Sequence, residues 1–354
     1  MNLMIIKRSS LPQSLLSHIS PKISQIWLQI VQTPTKTSTM TPAIKTTHID
    51  RTAHEPRDNS LHELLITTIT PITPAIRLFH LTPSQPSQPP ISFLPGQWVD
   101  LYYPPFPSCQ KPGGFTITSP PSHPHMELAV QQSPLNPPAA YLWQDPSTLL
   151  HTPVRIRIGG SFTYPPQILS RPSEQQPLLS SPRSSSTPPN FKKLVLVAGG
   201  VGINPLISIL SHISTTRPQP EITLLYSLKD PNSKIQSGDT SQALFLDRII
   251  NLFSNQNDPL KGNIKLFLTT TGGPTNTNNI STNEITTKNL SIPFEKRRIS
   301  LSDVSNAIGE HKDDVAVYIC GVPSMTDQFV DGLTSPSPQG LGIDKSRVLC
   351  EKWW

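Results

Sequence analysis

Two glycine turns hold the residues of this 354-residue chain whose types and spacing could do chemistry. The first is Lys193-Leu194-Val195-Leu196-Val197-Ala198-Gly199-Gly200-Val201-Gly202-Ile203-Asn204-Pro205-Leu206. Its apolar run at 194 to 198 suits a strand buried on both faces of a parallel sheet. The glycines then bare the backbone, Asn204 is placed to cap the following helix, and Pro205 suits its first turn. Free N–H groups and the positive end of a helix would meet any bound anion there, so Gly199, Gly200, Val201, Gly202, Ile203, Asn204 and Pro205 read as a cradle for a nucleotide pyrophosphate. The plain alternative is an ordinary strand-to-helix turn. The second turn is Tyr318-Ile319-Cys320-Gly321-Val322-Pro323-Ser324-Met325, after another apolar strand. Ligands of open α/β sheets bind beyond the carboxyl ends of the strands, which sends Cys320 and Gly321 to the crevice of Gly200 and Gly202. A buried strand-end cysteine is the alternative for Cys320.

The elements that must position these turns fall into two parts. Residues 60 to 166 alternate short β-like runs with Pro-rich turns: Leu64 to Thr70, Ile76 to Leu81, Gln97 to Tyr103, Gly114 to Thr118, Met126 to Gln131 and Val154 to Ile158. That spacing predicts a small antiparallel barrel over 58–168. A Ser/Pro-rich linker or insertion at 169–189 separates it from 190–354. There strands and helices alternate, with strands at 193 to 198, 222 to 226, 264 to 268, 315 to 319 and 347 to 350. The fold class expected is therefore a two-domain one, an antiparallel β-barrel followed by an α/β doubly wound five-stranded parallel sheet. The Thr/Asn-rich stretch 269 to 290 reads as a loop expansion.

Composition narrows the function classes. Hydrophobic residues make up 35% of the chain and prolines number 41, far above the usual share of about 5%, so part of the length is loop or linker. The net charge of +6 is concentrated in residues 1 to 49, which contain Lys7, Arg8, Lys22, Lys36 and Lys45 and no acid. A basic, Ser/Thr-rich leader with Ile23, Ile26, Trp27, Ile30 and Val31 on one helical face predicts a mitochondrial transit peptide over 1–50. No run of 18 apolar residues implies a membrane span, and no motif implies nucleic-acid binding. Cys109, Cys320 and Cys350 are too few and too dispersed for a disulfide framework, an iron-sulfur cluster or a metal site.

With both turns and the barrel in view, residues 60 to 354 resemble the ferredoxin-NADP reductase superfamily, and within it the subgroup of oxidoreductase NAD-binding domain-containing proteins. The motifs that carry the resemblance are Leu94-Pro95-Gly96-Gln97-Trp98-Val99-Asp100, Gly113-Gly114-Phe115-Thr116-Ile117-Thr118-Ser119, the two glycine turns, and the terminal Glu351-Lys352-Trp353-Trp354. The resemblance implies FAD on the barrel, NAD or NADP on the second domain, and hydride transfer between them. It places Phe115 against the flavin, Thr116 near its reactive nitrogen, Ser119 in the same strand motif, and Trp354 over its other face. Cys320 would sit beside the nicotinamide, with Gly321, Pro323 and Met325 in the same turn.

Three departures stand against that pattern. Gly113 occupies the place of the arginine that grips the flavin pyrophosphate, a charge-assisted contact worth about 1.5–3 kcal/mol. The second pyrophosphate motif appears as Asn136-Pro137-Pro138-Ala139-Ala140-Tyr141-Leu142, without its hydroxyl, and Val322 stands where proline is usual. FAD, FMN and an empty flavin site thus all stay open. After the second parallel strand, Tyr226-Ser227-Leu228-Lys229-Asp230 offers both a base for a 2'-phosphate and an acid for a 2'-hydroxyl, with NAD slightly favoured. The function expected is a flavin-dependent NAD(P)H oxidoreductase that passes electrons to an external acceptor the sequence does not identify. The alternative is a nucleotide-binding regulatory or assembly protein that keeps the fold without flavin turnover.

Overall fold

A computed structural model of the chain describes residues 47–85, 90–106, 111–166, 191–269, 283–287 and 290–352. The leader helix expected near 23 to 31, the linker at 169–189, Cys109, Trp353 and Trp354 lie outside the described residues.

The first part is a barrel of β1 (His62–Thr73), β2 (Ile76–Pro83), β3 (Trp98–Tyr102), β4 (Gly113–Thr116), β5 (Met126–Gln131) and β6 (Pro153–Gly159), in the order β4-β3-β6-β1-β2-β5. All its pairings are antiparallel. A bridge from Ile117 to Leu128 brings the end of β4 to β5 and closes the ring, so no long edge is left to pair with another chain. Alternation puts Leu64, Ile66, Phe79, Leu81, Val99, Leu101 and Leu128 inside, each at most 1% exposed. Two short helices, α2 (Pro137–Leu142) and α3 (Pro146–Leu149), follow β5.

Ahead of β1, helix α1 (His48–Arg51) is held by a capping box between Thr47 and Asp50. It lies on the outside of β3, where the fully buried Asp100 collects His48 (Nε2 to Oδ1, 3.0 Å), Arg57 (2.9 Å) and Arg157 (2.7 Å). Burial pushes the Asp100 carboxyl up, but His48 and the two guanidinium groups outweigh it and hold its pKa below the ordinary value.

The second part is a seven-stranded sheet in the order β10-β11-β9-β8-β7-β12-β13. The five expected parallel strands are β7 (Lys193–Gly199), β8 (Glu221–Lys229), β9 (Gly262–Thr269), β12 (Val315–Gly321) and β13 (Val348–Lys352). Two strands that composition hid, β10 (Asn283–Thr286) and β11 (Ser291–Glu295), form an antiparallel hairpin, and β11 runs parallel to β9. The first buries Ile285 alone and the second Ile292 and Phe294, too little apolar pattern to stand out from a Thr/Asn-rich loop. Both faces of the sheet are covered. Leu194, Leu196 and Ala198 pack under α4 (Ile203–Ile213) and α5 (Leu246–Ser254), while Val195 and Val197 pack under α6 (Leu301–Ile308) and α7 (Pro323–Thr334). This explains why β7 reads as an unbroken apolar run.

The two parts share one contact surface. Ser208 of α4 donates to the Ser119 carbonyl (2.7 Å), Tyr318 donates to the Thr163 carbonyl (2.9 Å), and Arg248 of α5 forms a fork with Glu127 of β5 (2.9 and 2.8 Å). Thr118 donates a further bond of 2.7 Å to Glu127. Burial pushes the Glu127 carboxyl up, but Arg248, Thr118 and the nearby His80 more than reverse that and leave its pKa below the ordinary 4.5. Arg248→Met strands this carboxylate, which is 3% exposed, and should cost about 3 kcal/mol in urea unfolding; a loss under about 0.5 kcal/mol would contradict the clasp. Because the folded pKa values of Glu127 and Asp100 are depressed, their stabilisation is complete above the ordinary carboxylate range and disappears as pH falls through the depressed values. Unfolding midpoints should therefore drop below about pH 4, and Glu127→Gln should flatten that dependence.

Candidate functional site

Strands β7 and β12 are neighbours that lead away to opposite sides of the sheet, and their carboxyl ends carry the two glycine turns. Within this crevice the glycines do different jobs. A Cβ on Gly202 would come within 2.1 Å of the Cys320 carbonyl oxygen, and one on Gly321 within 2.4 Å of Met325 Cε. A Cβ on Gly199 would meet Met325 Cε at 3.2 Å and the Gly321 Cα at 3.6 Å. These three glycines let the two turns close on each other. Gly200 alone in this group faces open space, with φ +56° and no atom within 4 Å of the point a Cβ would occupy. It begins the short 3-10 turn Gly200–Gly202 that runs straight into α4, so its exposed backbone is where a phosphate can approach the helix start.

Several site residues take roles other than those expected. Asn204 does not cap α4, because Gly202 holds the cap position and the helix begins at Ile203. Its side chain instead crosses to the barrel, where Nδ2 donates to the Ala129 carbonyl (3.1 Å). Its Oδ1 is buried with no hydrogen-bond partner, which costs about 1–3 kcal/mol. Ile203 and Pro205 are core residues of the helix start, and Val201 is half-buried at its rim. Cys320 is fully buried among Ala198, Ile203 and Tyr318, so it acts in the site through its backbone carbonyl against Gly202 and its thiol belongs to the core. Ser119, 1% exposed, accepts the Glu127 N–H at its hydroxyl (3.1 Å) and the Ser208 hydroxyl at its carbonyl, which makes it part of the joint between the two sheets. Pro323 starts α7 after the exposed Val322, and Met325 packs over Gly321. Trp354 lies outside the described residues.

A cavity of about 300 Å³ opens between the barrel and the first glycine turn. Phe115, Thr116, Ala129 and Ala139 line the barrel side, and Val201 and Asn204 line the other. Phe115 and Thr116, 8% and 4% exposed, thus line a cavity shared with the first glycine turn.

The fit of FAD to this site divides at its pyrophosphate. The ring end has a cavity lined by Phe115, Thr116, Ala129 and Asn204. At the dinucleotide end position 113 admits no side chain, and so no arginine, since a Cβ at Gly113 would meet Pro138 Cβ at 2.5 Å and Phe115 Cε2 at 2.7 Å. Helix α2, which would offer its first N–H groups to a phosphate, begins with Pro137 and Pro138, which have none, and Asn136 makes no capping bond. The residues present therefore fit a flavin ring and do not fit the diphosphate of FAD.

At the end of β8 the side chains of Lys229 and Asp230 differ in exposure. Asp230 is 3% exposed, and its carboxylate accepts the N–H groups of Ile235 (3.2 Å) and Gln236 (3.1 Å), so it closes its own turn. Lys229 is the exposed member of the pair. Among the described residues no helix is long and apolar enough to cross a membrane.

A closed barrel joined to a doubly wound sheet, with a cavity at the joint and a glycine crevice beside it, defines the two-domain class of the ferredoxin-NADP reductases. Residues 191–331 match the ferric reductase NAD binding domain. The chain is 30% identical over 277 residues to oxidoreductase NAD-binding domain-containing protein 1 of Bos taurus, covering 74% of this chain and 72% of that protein. The Xenopus laevis protein of the same name is 29% identical over 320 residues, covering 89% and 86%. The chain belongs to this family of oxidoreductase NAD-binding domain-containing proteins, within the ferredoxin-NADP reductase superfamily. A ferredoxin NADP+ reductase from Neisseria gonorrhoeae, solved with bound FAD and NADP, shares the fold at TM-score 0.52 and 16% identity, over 83% of this chain and 99% of that one.

The division of labour among the glycines is testable. Gly200→Ala should leave the fold intact at a cost of about 1–2 kcal/mol for its left-handed backbone while weakening NAD(P)H binding. Gly202→Ala should lower the melting temperature far more, because backbone must move to admit the Cβ; equal melting temperatures for the two variants would contradict the assignment.

Proposed function

We propose that this chain is a flavin-dependent NAD(P)H oxidoreductase. The observation that carries the reading is the sharing of Val201 and Asn204 between the turn that would receive the dinucleotide and the cavity that would receive the acceptor ring. A pyrophosphate held by the backbone at Gly200 and the start of α4 sends the nicotinamide toward this common wall. The flavin ring supplies the two-electron chemistry, and the protein supplies binding, orientation and exclusion of water. Thr116 and Asn204 fix the ring by a hydroxyl and an amide, while Phe115, Ala129 and Ala139 keep water from its buried side. Electrons then leave to an external acceptor.

The exposed Lys229 and the engaged Asp230 support NADPH as the better reductant, reversing the slight preference for NAD drawn from residue types alone. Anaerobic addition of NADPH to the protein with flavin should bleach the visible flavin absorption, and NADH should do so at higher concentration. Lys229→Glu should shift the NADPH-to-NADH ratio by about tenfold, on the order of 1.4 kcal/mol, toward NADH. Flavin that stays oxidised with both nucleotides would overturn the reading.

We also propose mitochondrial targeting by the basic, acid-free leader. Residues 1–50 fused to a fluorescent protein should direct it to mitochondria, and replacing Lys7, Arg8 and Lys22 with glutamate should leave it outside; an unchanged distribution would refute the assignment.

A further inference from the structure

The cavity between the barrel and the glycine turn has a lining that selects a particular form of flavin. Among the described residues, none in its wall carries a charge. Its floor is apolar and its outer rim is made of Gln131, Gln132, Ser133 and Asn136, all neutral groups that both donate and accept hydrogen bonds. Such a rim suits a chain of hydroxyls and gives a phosphate no cationic partner. The polar side chains of Thr116 and Asn204 that line the inner part are likewise uncharged. Beyond the rim, Pro138 and Phe115 leave no place for a side chain at Gly113, and Pro137 and Pro138 remove the first two N–H groups of the helix start. The volume of about 300 Å³ is at the low end of small-molecule sites, enough for one ring system and short of a dinucleotide.

We infer that the flavin of this protein is the uncharged ring-and-ribityl molecule, riboflavin, taken up and released as a co-substrate, and that FAD is not its resident group. This rests on the oxidoreductase reading above and names the substrate of the same site. The step balances as NAD(P)H plus riboflavin plus one proton giving NAD(P)+ plus dihydroriboflavin. The C4–H bond of the dihydronicotinamide breaks, its hydride carries both electrons to ring N5, and a solvent proton completes N1. The reduced flavin then leaves the neutral rim and delivers its electrons outside. The missing phosphate grip has a use here, because a co-substrate must dissociate in each turnover.

Fluorescence titration of the full chain with riboflavin, FMN and FAD tests the inference without recourse to activity. The protein should purify without stoichiometric flavin and bind riboflavin at least tenfold more tightly than FAD. Gln132→Lys, at an exposed position of the rim, should improve FMN binding relative to riboflavin by about tenfold by supplying the absent cation. Stoichiometric FAD in the purified protein, FAD binding tighter than riboflavin, or a Gln132→Lys variant with an unchanged FMN-to-riboflavin ratio would overturn the inference and leave the oxidoreductase reading intact. Failure of all three flavins to bind, with NADPH still bound, would overturn both.

Discussion

The joint between barrel and α/β sheet is the constraint on which the rest of this molecule depends. Neither part encloses the cavity by itself. One wall is the end of β4 and the middle of β5, and the other is the glycine turn and the start of α4. Their spacing is set by side chains of α4 and α5 that bond to the barrel: Asn204 to Ala129, Ser208 to Ser119 and the Arg248 fork to Glu127. The Glu127 carboxylate is nearly inaccessible to water, and the Arg248 fork that crosses to it exists only while the two parts stay joined. In the proposed function α4 would then serve as a floor for the dinucleotide and a wall for the acceptor at once.

A second consequence follows from how tightly the two glycine turns meet. With no side chain at 199, 202 or 321, the ends of β7 and β12 close on each other and on Met325, and only the backbone of Gly200 remains open toward the crevice. The nucleotide half of the site is therefore made of backbone, which reads phosphate and helix dipole in the same way for any dinucleotide. In the proposed function discrimination would come from the rim, from Lys229 at the end of β8 and from the neutral amides over the barrel cavity.

Much of the fold was legible in the sequence because burial on both faces and period-two alternation leave strong patterns. The run 194 to 198 and the six barrel strands are examples. The hairpin of β10 and β11 was not, since two short strands with few apolar residues leave no periodicity in a polar stretch. Within the site, residue types pointed to the two glycine turns, and the resemblance pointed to Phe115 and Thr116. They could not show which groups were already engaged: Asp230 is consumed by its own turn, Ser119 by the joint, and the Cys320 thiol by the core. These are long-range or geometric facts with no local signature. One signal was available, since the tandem prolines at 137 and 138 announce a helix start that lacks its first two N–H groups, and the exchange of arginine for Gly113 makes sense only once Pro138 is seen against it.

The most direct measurement of the central claim is amide hydrogen exchange across the whole chain with and without NADPH, and with and without flavin. The nucleotide should slow exchange at 199–206 and the flavin at 114–116 and 129–133, with the start of α4 protected by either one. Protection by flavin confined to segments away from β4, β5 and α4, or no protection of the glycine turn by the nucleotide, would contradict a shared wall between the two sites.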